Sequence, residues 1–382
     1  MAPRVIFLVS DTGGGHRASA EAVEKAIELA YPGRFQIDTI DPFVEGSRPF
    51  IRWLVYRYTW LIKHMPRTYG LVFHGTDNRM AIRAAVRTFG RQLRPGINRS
   101  VGPEPPAGIV SFHPLTNHVT VEVLDRLKLE IPFVTVITDM TDVHRFWMTR
   151  RADVVVVPSV EARRLCISKG LDPRRVHVAG LPVNPRFSGP LHGPEKSALR
   201  QKLGLVDELT LLLVSGGEGA GRLGAQAKAL DKAGLGLQLL VVCGRNERLC
   251  RKLQSQSWQG NVHVFGFVEN MPDLMRASDA VVTKAGPGTI SEALISGLPI
   301  FLTGYVPGQE EGNVSFVTDQ GLGYYTPRAR KLVNAVRHSL VEDREEFDRM
   351  QGRAEAVGRT DAAAEIAQLI AAAVEPQPIL PY

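Results

Sequence analysis

Thr283-Lys284-Ala285-Gly286-Pro287-Gly288-Thr289-Ile290-Ser291-Glu292-Ala293-Leu294 follows the apolar run Ala280–Thr283 and leads into a helix-like pattern. Pro287 rigidifies the turn, and the amides of Gly288 and Thr289 open a helix whose dipole favours phosphate. Glu292 lies one turn into that helix. A second element of this kind, Ser10-Asp11-Thr12-Gly13-Gly14-Gly15-His16, follows the apolar run Val5–Val9 and precedes the helix-like stretch Arg17–Ala30. Two strand–glycine loop–helix units in one chain predict an α/β protein of two Rossmann-like, doubly wound domains facing a cleft.

The rest of the chain repeats the pattern. Gly108–Phe112, Phe133–Thr138, Val154–Val157, Leu211–Val214, Leu239–Cys243, Val262–Phe265 and Ile300–Leu302 also read as strands, with helix-like segments between most of them. They are rich in Val, Ile and Leu with little alternation, as parallel strands covered on both faces are. Breakers crowd Gly180–Pro194, which divides an N-terminal domain, 1–187, from a C-terminal one, 195–345. The tail from about Val341 to Val374 reads as helix. A segment 346–382 is expected to pack back on the N-terminal domain, because Ala362–Val374 is almost entirely Ala, Ile and Leu and must cover something.

A chain of 382 residues suits two domains, and 44% hydrophobic against 22% charged residues is a globular composition. Cys166, Cys243 and Cys250 are too few for a disulfide framework and lack metal-ligand spacing. The run Val5–Val9 is too short for a secretory signal, and no stretch reaches the roughly 20 apolar residues that span a bilayer. The net charge of +7 is uneven. Residues 1–190 hold 26 Lys and Arg against 17 Asp and Glu, so the basic excess belongs to the N-terminal half. That asymmetry points to a polyanionic surface, nucleic acid or anionic lipid; no nucleic-acid-binding module is visible.

Several constellations suit chemistry. Three glycines before His16 allow close backbone approach, and a helix N-terminus disfavours the charged imidazole, which keeps it available as a base. A tight structural turn with a solvent-facing histidine fits the same residues. His113, in Ser111-Phe112-His113-Pro114-Leu115, ends another strand and suits either an acceptor site or the core. In the second half, Glu292 is placed to accept from ribose hydroxyls. Tyr305-Val306-Pro307-Gly308-Gln309-Glu310-Glu311-Gly312-Asn313 gathers polar groups suited to sugar hydroxyls where α/β sheets bind ligands. Ser215-Gly216-Gly217-Glu218-Gly219 could complete a pyrophosphate site or line the cleft. Phe265-Gly266-Phe267-Val268-Glu269-Asn270-Met271 could pair with the edge of a base.

At this point the chain resembles the monogalactosyldiacylglycerol synthases, within a wider group that includes processive diacylglycerol glucosyltransferases and the peptidoglycan enzyme that adds N-acetylglucosamine to lipid I. The residues that carry the resemblance are Ser10–Ala22, Val134–Asp139, Gly180–Val183, Val242–Asn246, Thr283–Leu294 and Val306–Glu310. The resemblance implies a GT-B fold with a glycosyltransferase family 28 type C-terminal domain. It implies inversion at the anomeric carbon, no cofactor or metal, a UDP-hexose donor and a diacylglycerol acceptor. It makes His16 the general base, with Asp139 placed to orient that base or compete for its role. Gly286, Pro287, Gly288 and Thr289 would hold the pyrophosphate and Glu292 the ribose. Gln309 and Glu310 would hold the hexose, and Phe267, Val268 and Met271 would frame the uracil, with Gly217 and Glu218 assisting. The sequence has no Asp-x-Asp triplet of the metal-bridging kind.

Residues 45–99 hold 11 Lys and Arg against Glu45 and Asp77, with Trp53, Tyr56 and Trp60 interleaved. Basic residues amid Trp and Tyr describe an interfacial segment, and Arg79, Arg83, Arg87 and Arg91 recur every four residues as one helical stripe. A solvated helix face over buried aromatics is the bland reading, and a lipid acceptor favours the other. Gly14, Gly15, Trp53, Tyr56, Trp60, Arg79, Arg83 and His113 therefore form the expected acceptor and membrane surface. It would hold the protein peripherally, on anionic lipid at the cytoplasmic face. The expected activity is transfer of a hexose, galactose favoured, from UDP-hexose to 1,2-diacylglycerol. A glucosyl donor, a prenyl-linked acceptor, an inactive nucleotide-sugar sensor and an epimerase are the alternatives.

Overall fold

Strands too apolar to face water on either side form the centres of two parallel six-stranded sheets. The computed structural model describes residues 2–10, 15–44, 65–102, 104–214 and 222–375. The chain divides into two units. One is Met1–Pro185 with Pro307–Gln309 and Asp361–Tyr382; the other is Arg186–Val306 with Glu310–Thr360.

The first unit runs β1 (Arg4–Leu8), α1 (Gly15–Ala30), β2 (Gln36–Ile40), α2 (Pro66–Thr76), α3 (Arg79–Val101), β3 (Gly108–Ser111), α4 (Pro114–Leu127), β4 (Phe133–Val136), β5 (Val154–Val157), α5 (Val160–Ser168) and β6 (Val176–Val178). Its sheet order is β2-β1-β3-β4-β5-β6, all neighbours parallel. Alternate residues of β1 enter separate cores. Ile6 and Leu8 pack with Leu93, Ile97, Val119 and Val123 of α3 and α4. Val5 and Phe7 pack with Ala20, Val23 and Ile27 of α1.

The second unit runs α6 (Gly193–Lys202), β7 (Thr210–Val214), α7 (Leu223–Lys232), β8 (Gln238–Val242), α8 (Glu247–Gln254), β9 (Val262–Phe265), α9 (Met271–Ala277), β10 (Ala280–Thr283), α10 (Pro287–Ile295), β11 (Ile300–Leu302), α11 (Glu311–Asp319), β12 (Gly323–Tyr325), α12 (Ala329–Val336) and α13 (Arg344–Val357). Its order is β12-β11-β10-β7-β8-β9. Asp279, buried just before β10, fixes that strand beside β7. It accepts from Thr210 N–H at 2.7 Å, Arg200 Nη2 at 2.6 Å and Lys196 Nζ at 2.6 Å.

Three strands escape the sequence reading: β2, β6 and β12. Each lies at a sheet edge, where only one neighbour selects for apolar character, and β6 and β12 are three residues long. The tail is also less regular than expected. A π-helical turn, Arg337–Glu342, precedes Asp343, whose side chain caps α13 by accepting from Glu346 N–H at 2.9 Å. Gly358 caps α13 with extended backbone, and a Cβ there would lie 2.5 Å from the Leu294 carbonyl oxygen. Helix α13 therefore belongs to the second unit, whereas the expected tail segment began at 346. Only from Asp361 does the chain join the first unit, through α14 (Ala362–Val374).

Helix α14 lies against α1, β3 and β5 and buries Ile366, Ala367 and Ile370 in the core shared with Val23 and Ile27. Its Ala-rich face admits this close approach. Ile366 is fully buried. Ile366→Ala is expected to destabilise the first unit by about 2–5 kcal/mol, read as a lower urea midpoint and faster amide exchange in α1.

Candidate active site

An open parallel sheet leaves a crevice where its strand order reverses, at the carboxyl ends of the two strands that flank the reversal. In the first unit these strands are β1 and β3. His16 stands at the start of α1 after β1, and His113 follows β3. Their rings meet edge to face with centroids 4.8 Å apart. Phe43 packs on His113 at 5.0 Å, and Trp147 lies 6.0 Å from His16.

His16 is partly buried, and its Nδ1 lies 2.8 Å from Thr138 Oγ1 at the end of β4. Burial lowers its pKa to about 4, opposed by a backbone hydrogen bond at Phe112. Desolvation is thus the operative cause of the neutral imidazole, where the sequence suggested the helix terminus. Burial, and then repulsion from His16, also hold His113 well below the usual histidine range.

Asp139 is buried beside this pair. Its Oδ2 accepts from Trp147 Nε1 at 2.6 Å and its Oδ1 from Gln309 Nε2 at 3.3 Å. Gln309 in turn accepts from Tyr69 hydroxyl at 3.1 Å. The short segment Pro307–Gln309 belongs to the first unit. Gly308, at φ +83°, fits against Phe73, whose ring carbons would lie about 3 Å from a Cβ. Gln309 is therefore tied to Asp139 and Tyr69.

In the second unit the reversal lies between β7 and β10. Gly286 caps α10 with extended backbone and Pro287 occupies its first turn. The first intrahelical bond is Ile290 N–H to the Gly286 carbonyl at 3.1 Å, so the amides of Gly288 and Thr289 precede it. A Cβ on Gly288 would meet nothing within 4 Å. Buried Asn313 donates from Nδ2 to the Ala285 carbonyl at 2.9 Å and holds the loop. The partly buried Glu292 carboxyl has its pKa raised to about 7 by desolvation.

Glu310 lies at the foot of the same loop. It is 6% exposed, and its carboxylate accepts from Lys284 Nζ at 2.9 Å and from Val306 N–H at 2.9 Å. Phe267, by contrast, is 63% exposed after β9, with the Arg245 guanidinium 5.4 Å from its ring centroid. These two residues, with Gly244, Glu247, Cys250, Arg251 and Gly266, line an open cavity of about 470 Å³ at the ends of β8 and β9. It lies one strand away from the β7/β10 reversal and includes none of Gly286–Thr289. Val268 and Met271 are partly buried at the start of α9.

Gly15 is exposed at the head of α1, and Arg79, Arg83, Arg87 and Arg91 are all exposed along α3. Gly14, Trp53, Tyr56, Trp60, Gly217 and Glu218 lie outside the described residues. Among those described, no three His, Cys, Asp or Glu side chains gather as a metal-ligand set. Sequence reasoning passed over Thr138, Trp147, Tyr69 and Lys284. Thr138 and Lys284 stand inside the motifs that drew attention, whereas only folding brings Trp147 and Tyr69 to the site.

Residues 16–183 match the family model of monogalactosyldiacylglycerol synthase, and residues 210–370 that of the glycosyltransferase family 28 C-terminal domain. The probable chloroplastic monogalactosyldiacylglycerol synthase of Nicotiana tabacum is 37% identical over 378 residues, covering 95% of this chain and 69% of the relative. The Spinacia oleracea enzyme of that name is 37% identical over 373 residues, covering 95% and 71%. Among solved structures, Acinetobacter baumannii MurG superimposes with TM-score 0.59 at 16% identity, covering 97% of this chain and 99% of that one. A putative UDP-N-acetylglucosamine 2-epimerase from Listeria monocytogenes gives 0.62 at 14%, covering both chains fully. These structural likenesses establish the GT-B fold. The two family matches and the plant relatives establish more: the chain belongs to the monogalactosyldiacylglycerol synthase family of glycosyltransferases.

Proposed function

We propose that this protein transfers galactose from UDP-galactose to the free hydroxyl of 1,2-diacylglycerol, with inversion, to give β-monogalactosyldiacylglycerol for membrane glycolipid. The observation that carries the reading is a buried imidazole, His16, set against Thr138 at the β1/β3 reversal of a chain in this family. The relatives' names supply the galactosyl product. A structural neighbour, Anabaena HepE, was solved with UDP-glucose at TM-score 0.53.

In this reading the acceptor oxygen attacks the anomeric carbon while the bond from that carbon to the diphosphate oxygen breaks and UDP departs. The hydroxyl proton passes to His16. A base with a pKa near 4 takes it only once bond formation has made the hydroxyl acidic, so proton transfer and displacement proceed together. Thr138 orients the imidazole. Asp139, hydrogen-bonded to Trp147 and Gln309, fixes the wall of the crevice. Charge developing on the diphosphate is met by the Gly288 and Thr289 amides and the α10 dipole, and no cofactor or metal is invoked. Glu292 receives the ribose hydroxyls, and Phe267, Val268 and Met271 receive the base.

The acceptor reaches the protein at a membrane surface, on its cytoplasmic face. No helix among the described residues is long and apolar enough to cross a membrane. Met65 just before helix α2, Leu71 (76%) and Val72 within it, and Met80 (78%), which follows Arg79 at the start of α3, are exposed. Apolar side chains beside exposed arginines suit docking on an anionic leaflet.

Incubation with UDP-galactose or UDP-glucose and diacylglycerol in anionic vesicles, with EDTA present, is expected to yield the β-galactolipid; a glucolipid product would reassign the donor. His16→Ala should abolish turnover yet bind UDP like wild type, and near-normal activity would remove His16 as the base. Because Glu292 is half-protonated near pH 7 and ribose hydroxyls donate to its ionised form, UDP affinity should rise about tenfold from pH 6 to pH 8. Glu292→Gln should remove that part of the slope in calorimetric titrations. Replacing Arg79, Arg83, Arg87 and Arg91 with Gln should weaken vesicle binding by about 1 kcal/mol per charge, measured by co-sedimentation.

A further inference from the structure

We propose that Asp77 is a positioning residue: it clamps the turn between α2 and α3 to segment 143–147 and so fixes the register between the lipid-facing side of those helices and the His16 crevice. The proposal rests on the lipid-acceptor reading. Asp77 sits between two helix ends. Its N–H donates to the His74 carbonyl at 3.2 Å as α2 closes, and Asn78 caps α3 by accepting from Ala81 N–H at 2.9 Å. With Asn78 serving as the cap, the Asp77 carboxylate turns to other parts of the unit. Its Oδ1 accepts from Arg145 N–H at 2.7 Å and its Oδ2 from Lys169 Nζ at 2.8 Å. Lys169, the C-cap of α5, also donates to the Val143 carbonyl at 2.6 Å.

The ion pair is shielded, with side chains 26% and 12% accessible for Asp77 and Lys169, which sets it apart from exposed pairs that contribute little. Burial opposes ionisation of Asp77, but the hydrogen bonds from Lys169 and Arg145 outweigh it and hold the carboxyl below its usual range. His144 adds a second tie. Burial holds its pKa below the usual histidine range. Its Nδ1 accepts from Phe146 N–H at 3.1 Å, which leaves Nε2 to donate to the Phe73 carbonyl of α2 at 3.1 Å. The ring stacks on Phe146 and meets Phe73 edge to face.

The gripped segment is a wall of the crevice. Arg145–Trp147 forms one turn of 3-10 helix, in which Trp147 N–H donates to the His144 carbonyl at 3.0 Å. Trp147 ends that turn, bonded to Asp139 and 6.0 Å from His16. Asn117 of α4 donates to the Trp147 carbonyl at 3.3 Å, so the wall is also held from the core side. The far half of α3 is anchored by buried Leu93, Ile97 and Val101. Asp77 lies at the other end, between exposed Leu71 and Val72 on one side and exposed Arg79 and Met80 on the other. An apolar and basic surface seated among head groups fixes the depth of whatever is rigidly tied to it. The acceptor hydroxyl lies at that leaflet surface, and a misplacement of about 1 Å costs about 100-fold in rate. Asp77 supplies the rigid tie.

Two acceptors separate this role from folding and from chemistry. One is dioleoylglycerol in vesicles of phosphatidylcholine and phosphatidylglycerol; the other is dihexanoylglycerol dissolved as monomer, which needs no docking. With the UDP-hexose that the wild type uses, Asp77→Ala is expected to lower kcat/KM on vesicles about tenfold and to keep kcat on the dissolved acceptor within about twofold. UDP affinity and co-sedimentation with vesicles should stay at wild-type levels. Lys169→Met breaks the same pair and should show the same split, and the double variant should lose no more than Asp77→Ala alone. Asp77→Asn keeps an acceptor for Arg145 N–H and should lose only about threefold on vesicles. Equal losses on both acceptors, no loss on vesicles, weaker vesicle binding, or additive losses in the double variant would overturn the proposal and leave the transferase reading intact. A wild type that transfers to neither acceptor would overturn both. Melting temperatures establish that the variants are folded, and Lys169→Met carries the test if Asp77→Ala is not.

Discussion

The organisation of both units depends on a single constraint: a parallel sheet has two apolar faces, and both must be covered. Each strand is followed by a connection that crosses one face, and covering the second face requires the winding direction to reverse once. In the first unit this reversal separates β1 from β3, and in the second it separates β7 from β10. The loops at those points cannot pack against one another as neighbouring loops do, so the carboxyl ends of the strands stay open. Residues able to do chemistry gather there. His16 and His113 lie at one reversal, and Gly286, Lys284 and Glu292 at the other. Helix α14 is a further consequence. The face that α1 covers is wider than one helix, and the chain returns at Asp361 to finish it.

Burial does opposite work on the titratable groups at the two reversals. Removing water disfavours whichever form carries charge. For His16 the result is a neutral imidazole at neutral pH; for Glu292 it is a carboxyl poised near 7. Neither needs a charged partner to explain its shift. In the proposed reaction the Glu292 carboxyl would resist ionisation until hydroxyl donors arrive, and His16 would resist protonation until a bond is forming. Each group is returned to its charged form by what it would bind or do.

The central strands and both glycine loops are legible in the sequence because parallel core strands are nearly continuous Val, Ile and Leu, and because Gly-Pro-Gly after a strand has few other uses. Edge strands are not legible. In β2 the polar Gln36, Asp38 and Thr39 outnumber Ile37 and Ile40, and only Ile40 is buried, while β12 has only Gly323, Tyr324 and Tyr325. The helical tail was legible as helix but not in its breaks. Gly358, at the stop, lies so close to the Leu294 carbonyl that no side chain fits there, a tertiary restraint that the local sequence does not show. At the site, His16 and Thr138 are 122 positions apart and Asp139 and Gln309 are 170 apart. Residue type identified such groups as chemically able, and only the sheet order decides which of them meet.

Gln309 and Glu310 show how neighbours in one motif can take different partners. Adjacent in sequence and alike in polarity, they read as one pair of sugar ligands. A backbone with φ near +83° at Gly308 turns the chain just before them, and successive side chains then leave in different directions. Gln309 goes to Asp139 and Tyr69, and Glu310 goes inward to Lys284 and the Val306 amide. An ionised carboxylate buried among apolar neighbours is costly unless its oxygens are filled. Lys284 and Val306 fill them, which fixes the loop between β11 and α11. The polarity of such a run identifies which residues can bind, whereas the turn that precedes it determines what each of them binds.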